Sequence, residues 1–597
     1  MNKKQRLELT WVGKEDRPHL EPRILLEDVD KSYHAATRVS DNDIFDNRLI
    51  FGDNLLALKS LESELTGRVK CIYIDPPYNT GNAFEHYDDG IEHSIWLGLM
   101  RDRLEVLHRL LASDGFFCCQ IDDQEGAYLK VLLDEVFGRS NYLTTFYIQV
   151  RYGNKTLAED SDFQKVIEQC LIYAKDAHIG TAIKAVEEYK VEKFEWEIQE
   201  IGRGAVLELG GKRVDVFKPG HYKISKVKPH LKALKETWAT GSLLKQKASS
   251  GEFLGKYLAP RKSEDGVGCL YKVYGIGEDG IGYRYFTGPK KESATKGKFY
   301  SGIPLDRLAE LERGQSKKEK PIENFYDLAG SFGNCRLEGG VDFRSGKKPE
   351  HLIEIILNHF SRPGELVLDS FAGSGTTGAV AHKMGRRWIM VELKDHCHTL
   401  IVPRMNRVID NEDPNGITET VGWGGGGGFR YYRLAPSLLE KDIWGNWIIS
   451  GNYNAAMLTE AVCKLMGFTY APSEQHYWIH GRSSESDFIY VTTQSLTHEQ
   501  LKAIAAEVGD GRTLLICCKA FRANLDTFAN LTVRKIPQAV LRKCEWGKDD
   551  YSLNVANLPI AAPKEKEPEP DAKPAKARRA NAAQDDLFVG AESDGCR

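Results

Sequence analysis

The sequence predicts an α/β fold in which one parallel sheet is assembled from two separated stretches of chain. Between Arg48 and Phe137, short apolar runs alternate with segments of helical period. Between Glu365 and Glu392, a strand, a glycine-rich turn, a helix and a second strand ending in an acid follow one another. At 597 residues the chain is also too long for a single core, so further domains must flank that sheet.

Apolar residues make up 41% and charged residues 28%, the profile of a soluble globular protein. No apolar run reaches the length of a membrane span, and the basic start Met1–Arg6 lacks the apolar core of a signal peptide. The expectation is a cytoplasmic protein that does not meet a membrane. A net charge of −4 means that nucleic acid could be held only by a local basic patch. The twelve cysteines are scattered, with no C-x-x-C, and the pairs Cys118-Cys119 and Cys517-Cys518 lie in apolar runs as buried thiols. His396-Cys397-His398 has no second cluster to complete a metal site, so none is expected.

Residues 1–45 are polar, carry Pro18 and Pro22, and predict an arm over the surface. Arg48–Phe51 reads as a strand ending in Gly52-Asp53-Asn54, before a helix through Leu55, Leu58 and Leu61. Asp53 is there either as a helix N-cap or as a ligand contact. The stretch Cys71–Asn79 is a buried strand that runs into Asp75-Pro76-Pro77-Tyr78. The prolines stop the ladder and donate no N–H, which leaves their carbonyls as free acceptors. A carboxylate, a carbonyl and a flat ring at the carboxyl end of a strand suit an exocyclic amine on a flat heterocycle. The plain alternative is a strand followed by a stiff turn. Thr80–Tyr87 could close over a pocket there. An amphipathic helix from about Ser94 to Ala112, a strand Phe116–Ile121 and a helix Glu125–Phe137 complete this half.

From about 140 to 345 the pattern changes. Strands are expected at Tyr142–Val150 and Cys170–Ala174. Between Lys212 and Lys235, eight Lys/Arg face a single acid, Asp215, with Phe217, His221, Tyr222 and His230 interleaved. Such a run is either a solvated face or a nucleic-acid contact, and the aromatics favour the second, with Lys223, Lys226 and Lys228 as candidates.

Glu365–Asp369 is the next strand, followed by the turn Ser370–Thr377, a helix from Gly378 and the strand Arg387–Glu392. The glycines permit close approach of a ligand, and Glu392 is placed to accept ribose hydroxyls. Gly373, Gly375 and Gly378 also spell a dinucleotide fingerprint, and only the pairing with the Asp75 turn argues for a methyl donor. Gly424–Gly428 predicts a flexible linker, residues 440–556 a small α/β domain with a helix His498–Val508, and 561–580 a low-complexity linker. No P-loop pattern occurs, so no NTPase is expected.

With these motifs placed, the sequence resembles the β-class N6-adenine DNA methyltransferases, and most closely the modification subunits of type III restriction systems. Asp75-Pro76-Pro77-Tyr78 is similar to their target-base motif, and Phe371-Ala372-Gly373-Ser374-Gly375-Thr376 to their cofactor turn. The catalytic turn preceding the cofactor turn, with a long insert between, is the permuted order of that class. Lys348-Pro349-Glu350 resembles the segment that helps hold the methionine part of the cofactor, and Gly52-Asp53-Asn54 the segment whose Asp contacts the cofactor adenine. The resemblance implies a Rossmann-like S-adenosylmethionine-dependent sheet, with Asp75, Pro76, Pro77 and Tyr78 catalytic. It implies that Asp53, Lys348, Asp369, Phe371, Ala372, Gly373, Gly375, Thr376 and Glu392 bind S-adenosylmethionine.

The implied organisation is an arm (1–45), a catalytic half (46–180), a target-recognition insert (181–340), a cofactor half (341–422), a glycine-rich linker (423–435), a C-terminal domain (436–558) and a disordered tail (559–597). The implied partners are double-stranded DNA, a second copy of the chain and a separate restriction helicase-nuclease. An N4-cytosine enzyme would use the same geometry, more often with Ser in place of Asp75. An RNA amino-methyltransferase or a chain serving chiefly in DNA recognition are the other readings. In the tail, Gln584, Leu587 and Phe588 lie in a peptide that resembles the motif by which bacterial proteins dock on the replication sliding clamp.

Overall fold

The two separated stretches meet in one sheet. In the computed structural model the described residues are 7–552, without 79–88, 154–162, 190, 239–248, 292, 295–296, 314–316 and 344–345. The clamp-like peptide and the Thr80–Tyr87 segment therefore lie outside the described residues.

The sheet strands are β1 (Leu25–Glu27), β2 (Tyr33–His34), β3 (Asn47–Phe51), β4 (Val69–Ile74), β5 (Leu111–Ile121), β6 (Tyr142–Gln149), β7 (Ile167–Ala174), β8 (Phe325–Asp327), β9 (Leu366–Asp369), β10 (Arg387–Glu392) and β11 (Gly428–Leu434). Their order is β1-β11-β3-β10-β9-β4-β5-β7-β6-β8, with β2 paired to β11. From β11 to β5 every neighbour is parallel, and the join between the two halves is β4 against β9, with Cys71 opposite Val367 and Ile72 opposite Leu368. Alternation along each strand separates two cores. Ile50, Ile72, Ile74 and Phe117 face one, and Leu49, Cys71, Tyr73 and Phe116 face the other.

Helix α1 (Asn54–Leu65), α2 (Asp89–Leu110) and α3 (Gly126–Leu133) belong to the first half, and α4 (Glu350–Phe360) and α5 (Thr376–Lys383) to the second. α2 ends two residues before the expected Ala112, because β5 begins at Leu111 and pairs Leu111 with Val69. It buries Trp96, Leu97, Met100, Leu104 and Leu107.

Two expectations are corrected. The polar arm supplies β1 and β2 to the sheet. The glycine run is no flexible linker at its end: Gly428 opens β11, and a Cβ there would sit 2.7 Å from the Tyr33 carbonyl. At Gly427 it would sit 2.7 Å from the Ile44 carbonyl. These glycines serve close packing of the arm rather than looseness.

The insert forms a six-stranded antiparallel sheet from Ala205–Leu209, Lys212–Phe217, Leu270–Tyr274, Tyr283–Thr287, Lys298–Ser301 and Lys235–Trp238. A ribbon of Trp196–Glu200 and Tyr222–Lys226 accompanies it. The C-terminal region carries a five-stranded sheet with helices Ala455–Met466 and His498–Val508, the second matching its expected bounds. No helix among the described residues is long and apolar enough to cross a membrane.

Candidate functional site

Asp75 follows β4 directly, at the carboxyl edge of the sheet. The Tyr78 hydroxyl donates to Asp75 Oδ1 at 2.8 Å and also lies 3.0 Å from Glu168 Oε2. Lys348 Nζ is 3.1 Å from Asp75 Oδ2 and 3.4 Å from Glu168 Oε2, and stands 4.9 Å from the centre of the Tyr78 ring. Burial pushes the Asp75 carboxyl above its ordinary pKa; Lys348 opposes this shift and Glu168 adds to it. Burial works against the charge of Lys348, but the two carboxylates outweigh it and hold its pKa above the ordinary lysine value. The Pro77 carbonyl is not free as expected, since it accepts the Trp96 indole N–H at 2.9 Å. No hydrogen bond among the described residues ends on the Pro76 carbonyl.

One strand over, β9 ends in Asp369, whose Oδ1 accepts the Phe371 N–H at 2.9 Å and whose Oδ2 accepts the Thr377 hydroxyl at 2.6 Å. Asp369 thus pins both ends of the turn, and burial pushes its carboxyl up to about 7. The Ala372 N–H bonds back to the Val391 carbonyl of β10 at 3.1 Å. Glu392 Oε2 accepts the Gly373 N–H at 2.8 Å, and its Oε1 accepts the Lys394 N–H at 3.1 Å. Burial disfavours the Glu392 charge, but His396 and these two N–H groups overcome it and hold the carboxyl below its ordinary pKa.

The three glycines do different work. Gly373 has φ +54°, and a Cβ there would meet nothing nearer than the Phe371 carbonyl at 3.9 Å, so open space lies before it. A Cβ on Gly375 would sit 2.8 Å from Ile401, and one on Gly378 would sit 2.3 Å from Met390. The last two are required for packing; the first faces the site.

Lys348 is tied to this turn through its own backbone. The Thr376 hydroxyl donates to the Lys348 carbonyl at 3.1 Å. Arg404 donates to the Ser374 carbonyl at 3.1 Å, to the Thr376 hydroxyl at 2.9 Å and to Glu350 at 2.8 Å. Glu350 also accepts Lys383 at 2.8 Å, and Lys383 reaches Asp413 at 2.7 Å. All four charges are buried. Nothing in the motif spacing announces Arg404, Lys383 or Asp413. Glu168 was equally invisible, because it precedes the expected start of its strand.

Asp53 lies in the same region but is spent internally. Its Oδ1 caps α1 through the Leu55 and Leu56 N–H groups at 2.9 and 3.1 Å. Its Oδ2 accepts the Tyr551 N–H at 3.0 Å and lies 3.3 Å from Arg103. The N-cap role expected of Asp53 is present in these bonds.

The basic insert is less basic in space than in sequence. Lys226 is paired with Glu195 at 2.7 Å, Lys272 with Glu200 at 2.8 Å and Lys298 with Glu236 at 2.7 Å. All three acids lie outside the Lys212–Lys235 window: Glu195 directly precedes and Glu200 ends the ribbon strand that pairs with Tyr222–Lys226, and Glu236 lies in the strand that pairs with Lys298–Ser301. Lys223 and Lys228 are exposed.

The family model described as "DNA methylase" matches residues 69–403. A "Probable type III restriction-modification enzyme HindVI Mod subunit" of Haemophilus influenzae is 32% identical over 423 residues, covering 67% of this chain and 55% of that one. The type III EcoPI Mod subunit of Escherichia phage P1 is 29% identical, covering 64% and 61%. The chain therefore spans a little over half the length of these curated relatives. Among solved structures, the PvuII DNA methyltransferase (cytosine-N4-specific) aligns at 13% identity with a TM-score of 0.31, covering 65% of this chain and 94% of that one.

The Asp369 carboxyl makes stability depend on pH. Its folded pKa of about 7 exceeds the ordinary 3.8, so the folded state binds this proton more tightly than the unfolded state. The resulting stabilisation is full below about pH 4 and is lost as pH rises through about 7. In ligand-free protein, the thermal midpoint should fall over this window more steeply in wild type than in Asp369→Asn. Parallel curves in scanning calorimetry would refute the assignment.

Proposed function

The chain belongs to the DNA methylase family, and from that premise we propose that it transfers a methyl group from S-adenosylmethionine to the N6 amine of an adenine flipped out of duplex DNA. One observation carries this reading: the β4–β9 pairing sets the Asp75 turn beside the glycine turn at one edge of the sheet. S-adenosylmethionine, when bound, would supply an electrophilic methyl on its sulfonium. The open space at Gly373 and the neighbouring carboxylates Asp369 and Glu392 suit such a ligand. Phe371, Ala372, Gly375 and Thr376 shape that turn, and Lys348 stands between it and Asp75.

The residues of this chain act mainly by positioning. The N6 lone pair is delocalised into the adenine ring, so the amine is a poor nucleophile. Hydrogen bonds from its two N–H groups to Asp75 and to the Pro76 carbonyl favour a pyramidal nitrogen with a freer lone pair. Methylation would leave the amine nitrogen with one proton too many, and Asp75, already the acceptor of one of its N–H groups, is the residue placed to take that proton. Pro77 keeps the turn stiff, and Tyr78 offers its ring to the flipped base, worth about 1–3 kcal/mol by analogy with single-strand binders. Asp53, held by its internal bonds, contributes through the wall of the pocket.

The same reading makes the chain the modification subunit of a restriction system in the bacterial cytoplasm, working with a separate helicase-nuclease. It places target reading in the insert. Nucleoside mass spectrometry of DNA from a host with and without the gene tests the product. N6-methyladenine that depends on the gene supports the reading, and N4-methylcytosine would replace it.

Three outcomes are expected in vitro. Asp75→Ala should lower the single-turnover rate by at least about a hundredfold, as for loss of a key polar contact, with cofactor affinity largely kept. A rate above a tenth of wild type, with about tenfold being the least a key contact supplies, would contradict its role. Gly373→Val should abolish S-adenosylmethionine binding in calorimetry, because its methyls enter the open space, at a backbone strain of about 1–2 kcal/mol. Unchanged affinity would remove the turn from the site. Charge reversal at Lys223 and Lys228 should flatten the slope of log affinity for DNA against log salt by about 2. An unaltered slope returns these lysines to the solvated face.

A further inference from the structure

Glu168 reaches the site for a topological reason. β4 and β5 run parallel, but β7 runs antiparallel to β5, so the start of β7 lies beside the ends of the other two. Gln120, at the end of β5, is fully buried and donates from Nε2 to Glu168 Oε2 at 2.6 Å. The Tyr73 hydroxyl donates to Gln120 Oε1 at 3.0 Å, which fixes the face of the amide turned toward Glu168. The Glu168 side chain is 19% exposed and held in place by this relay.

Glu168 shares both donors that occupy Asp75. The Tyr78 hydroxyl is 2.8 Å from Asp75 and 3.0 Å from Glu168. The Lys348 ammonium is 3.1 Å from Asp75 and 3.4 Å from Glu168. An Asp75 carboxylate neutralised by a lysine and bonded to a phenol is a weak acceptor for an incoming amine. Simply breaking those bonds would leave a buried cation and a buried hydroxyl without partners. A second carboxylate within reach of both removes that penalty. No hydrogen bond among the described residues ends on Glu168 Oε1, so this carboxylate has acceptor capacity to spare.

We propose that Glu168 is a positioning residue that takes the Tyr78 hydroxyl and the Lys348 ammonium from Asp75 as the target amine enters. Asp75 then meets the amine as an unpaired carboxylate, and the Tyr78 ring is released toward the base. The inference rests on the methyl-transfer reading above. It adds the residue that switches the site from a self-paired arrangement to a receptive one. No covalent bond changes in this step; two hydrogen-bond donors exchange one acceptor for another.

The test uses the full chain, radiolabelled S-adenosylmethionine and DNA from a host lacking the modification. Glu168→Gln keeps the shape but cannot balance the lysine charge. It should slow single-turnover transfer by about ten- to a hundredfold, the range for a lost charge-assisted contact, with cofactor affinity within about twofold. Glu168→Ala should do the same or more, with an unfolding midpoint checked for each variant. In a Tyr78→Phe background, where there is no hydroxyl to hand over, the penalty of Glu168→Gln should shrink at least about threefold, a coupling expected only of groups in direct contact. A Glu168→Gln enzyme at wild-type rate would overturn the hand-off, and so would an equal penalty in both backgrounds. A wild-type chain that methylates no DNA overturns the methyl-transfer reading itself and the hand-off with it.

Discussion

Two opposed residue pairs hold the site together: Cys71 against Val367, and Ile72 against Leu368. They join segments far apart in sequence, and closing so long a loop carries an entropic cost that grows only slowly with its length. What the pairing secures is direction. Because the strands are parallel, their carboxyl ends emerge at the same edge, and Asp75 and Asp369 leave the sheet side by side. Without this join, a carboxylate turn and a glycine turn would be unrelated loops. The large insert departs from β7 and returns at β8, so it can vary without moving the join.

The glycine turn rests on buried charge. Glu350, Arg404, Lys383 and Asp413 are all sequestered from water, and each finds a partner of opposite sign. Such a cluster adds little net stability over well-packed apolar residues, whereas removing one member costs about 3–5 kcal/mol. Its value here is geometric. Arg404 holds the Ser374 carbonyl and the Thr376 hydroxyl, and Thr376 holds the Lys348 carbonyl. The lysine that reaches Asp75 is thereby registered against the turn that faces the open space.

Much of this was legible in the sequence, and the omissions have a common cause. The strands Arg387–Glu392 and Leu366–Asp369 appear within a residue of their expected bounds, whereas β5 begins five residues before Phe116 and β7 three before Cys170. Both turns could be read because their chemistry is local. Glu168 depends on a strand reversal, and Arg404 on a helix that returns beneath the turn, so no local pattern marks either. The basic insert misled in the same way, since Glu195 and Glu236 reach Lys226 and Lys298 across paired strands, and Glu200 reaches Lys272 from the ribbon to the six-stranded sheet. Gly428 looked like slack and is a close contact; composition alone does not distinguish the two.

The bond from the Tyr551 N–H to Asp53 joins the far end of the described chain to the helix cap beside the site. Arg103 reinforces it, lying 3.3 Å from both the Asp53 carboxylate and the Tyr551 carbonyl, while the Tyr551 ring packs into the main apolar core. The C-terminal domain is therefore not a passenger that can be trimmed at the glycine run to leave a minimal enzyme. A fragment ending there would expose apolar surface and strip a buried carboxylate of one donor. The smallest autonomous unit of this protein includes Tyr551, and a fusion or cleavage site belongs beyond it.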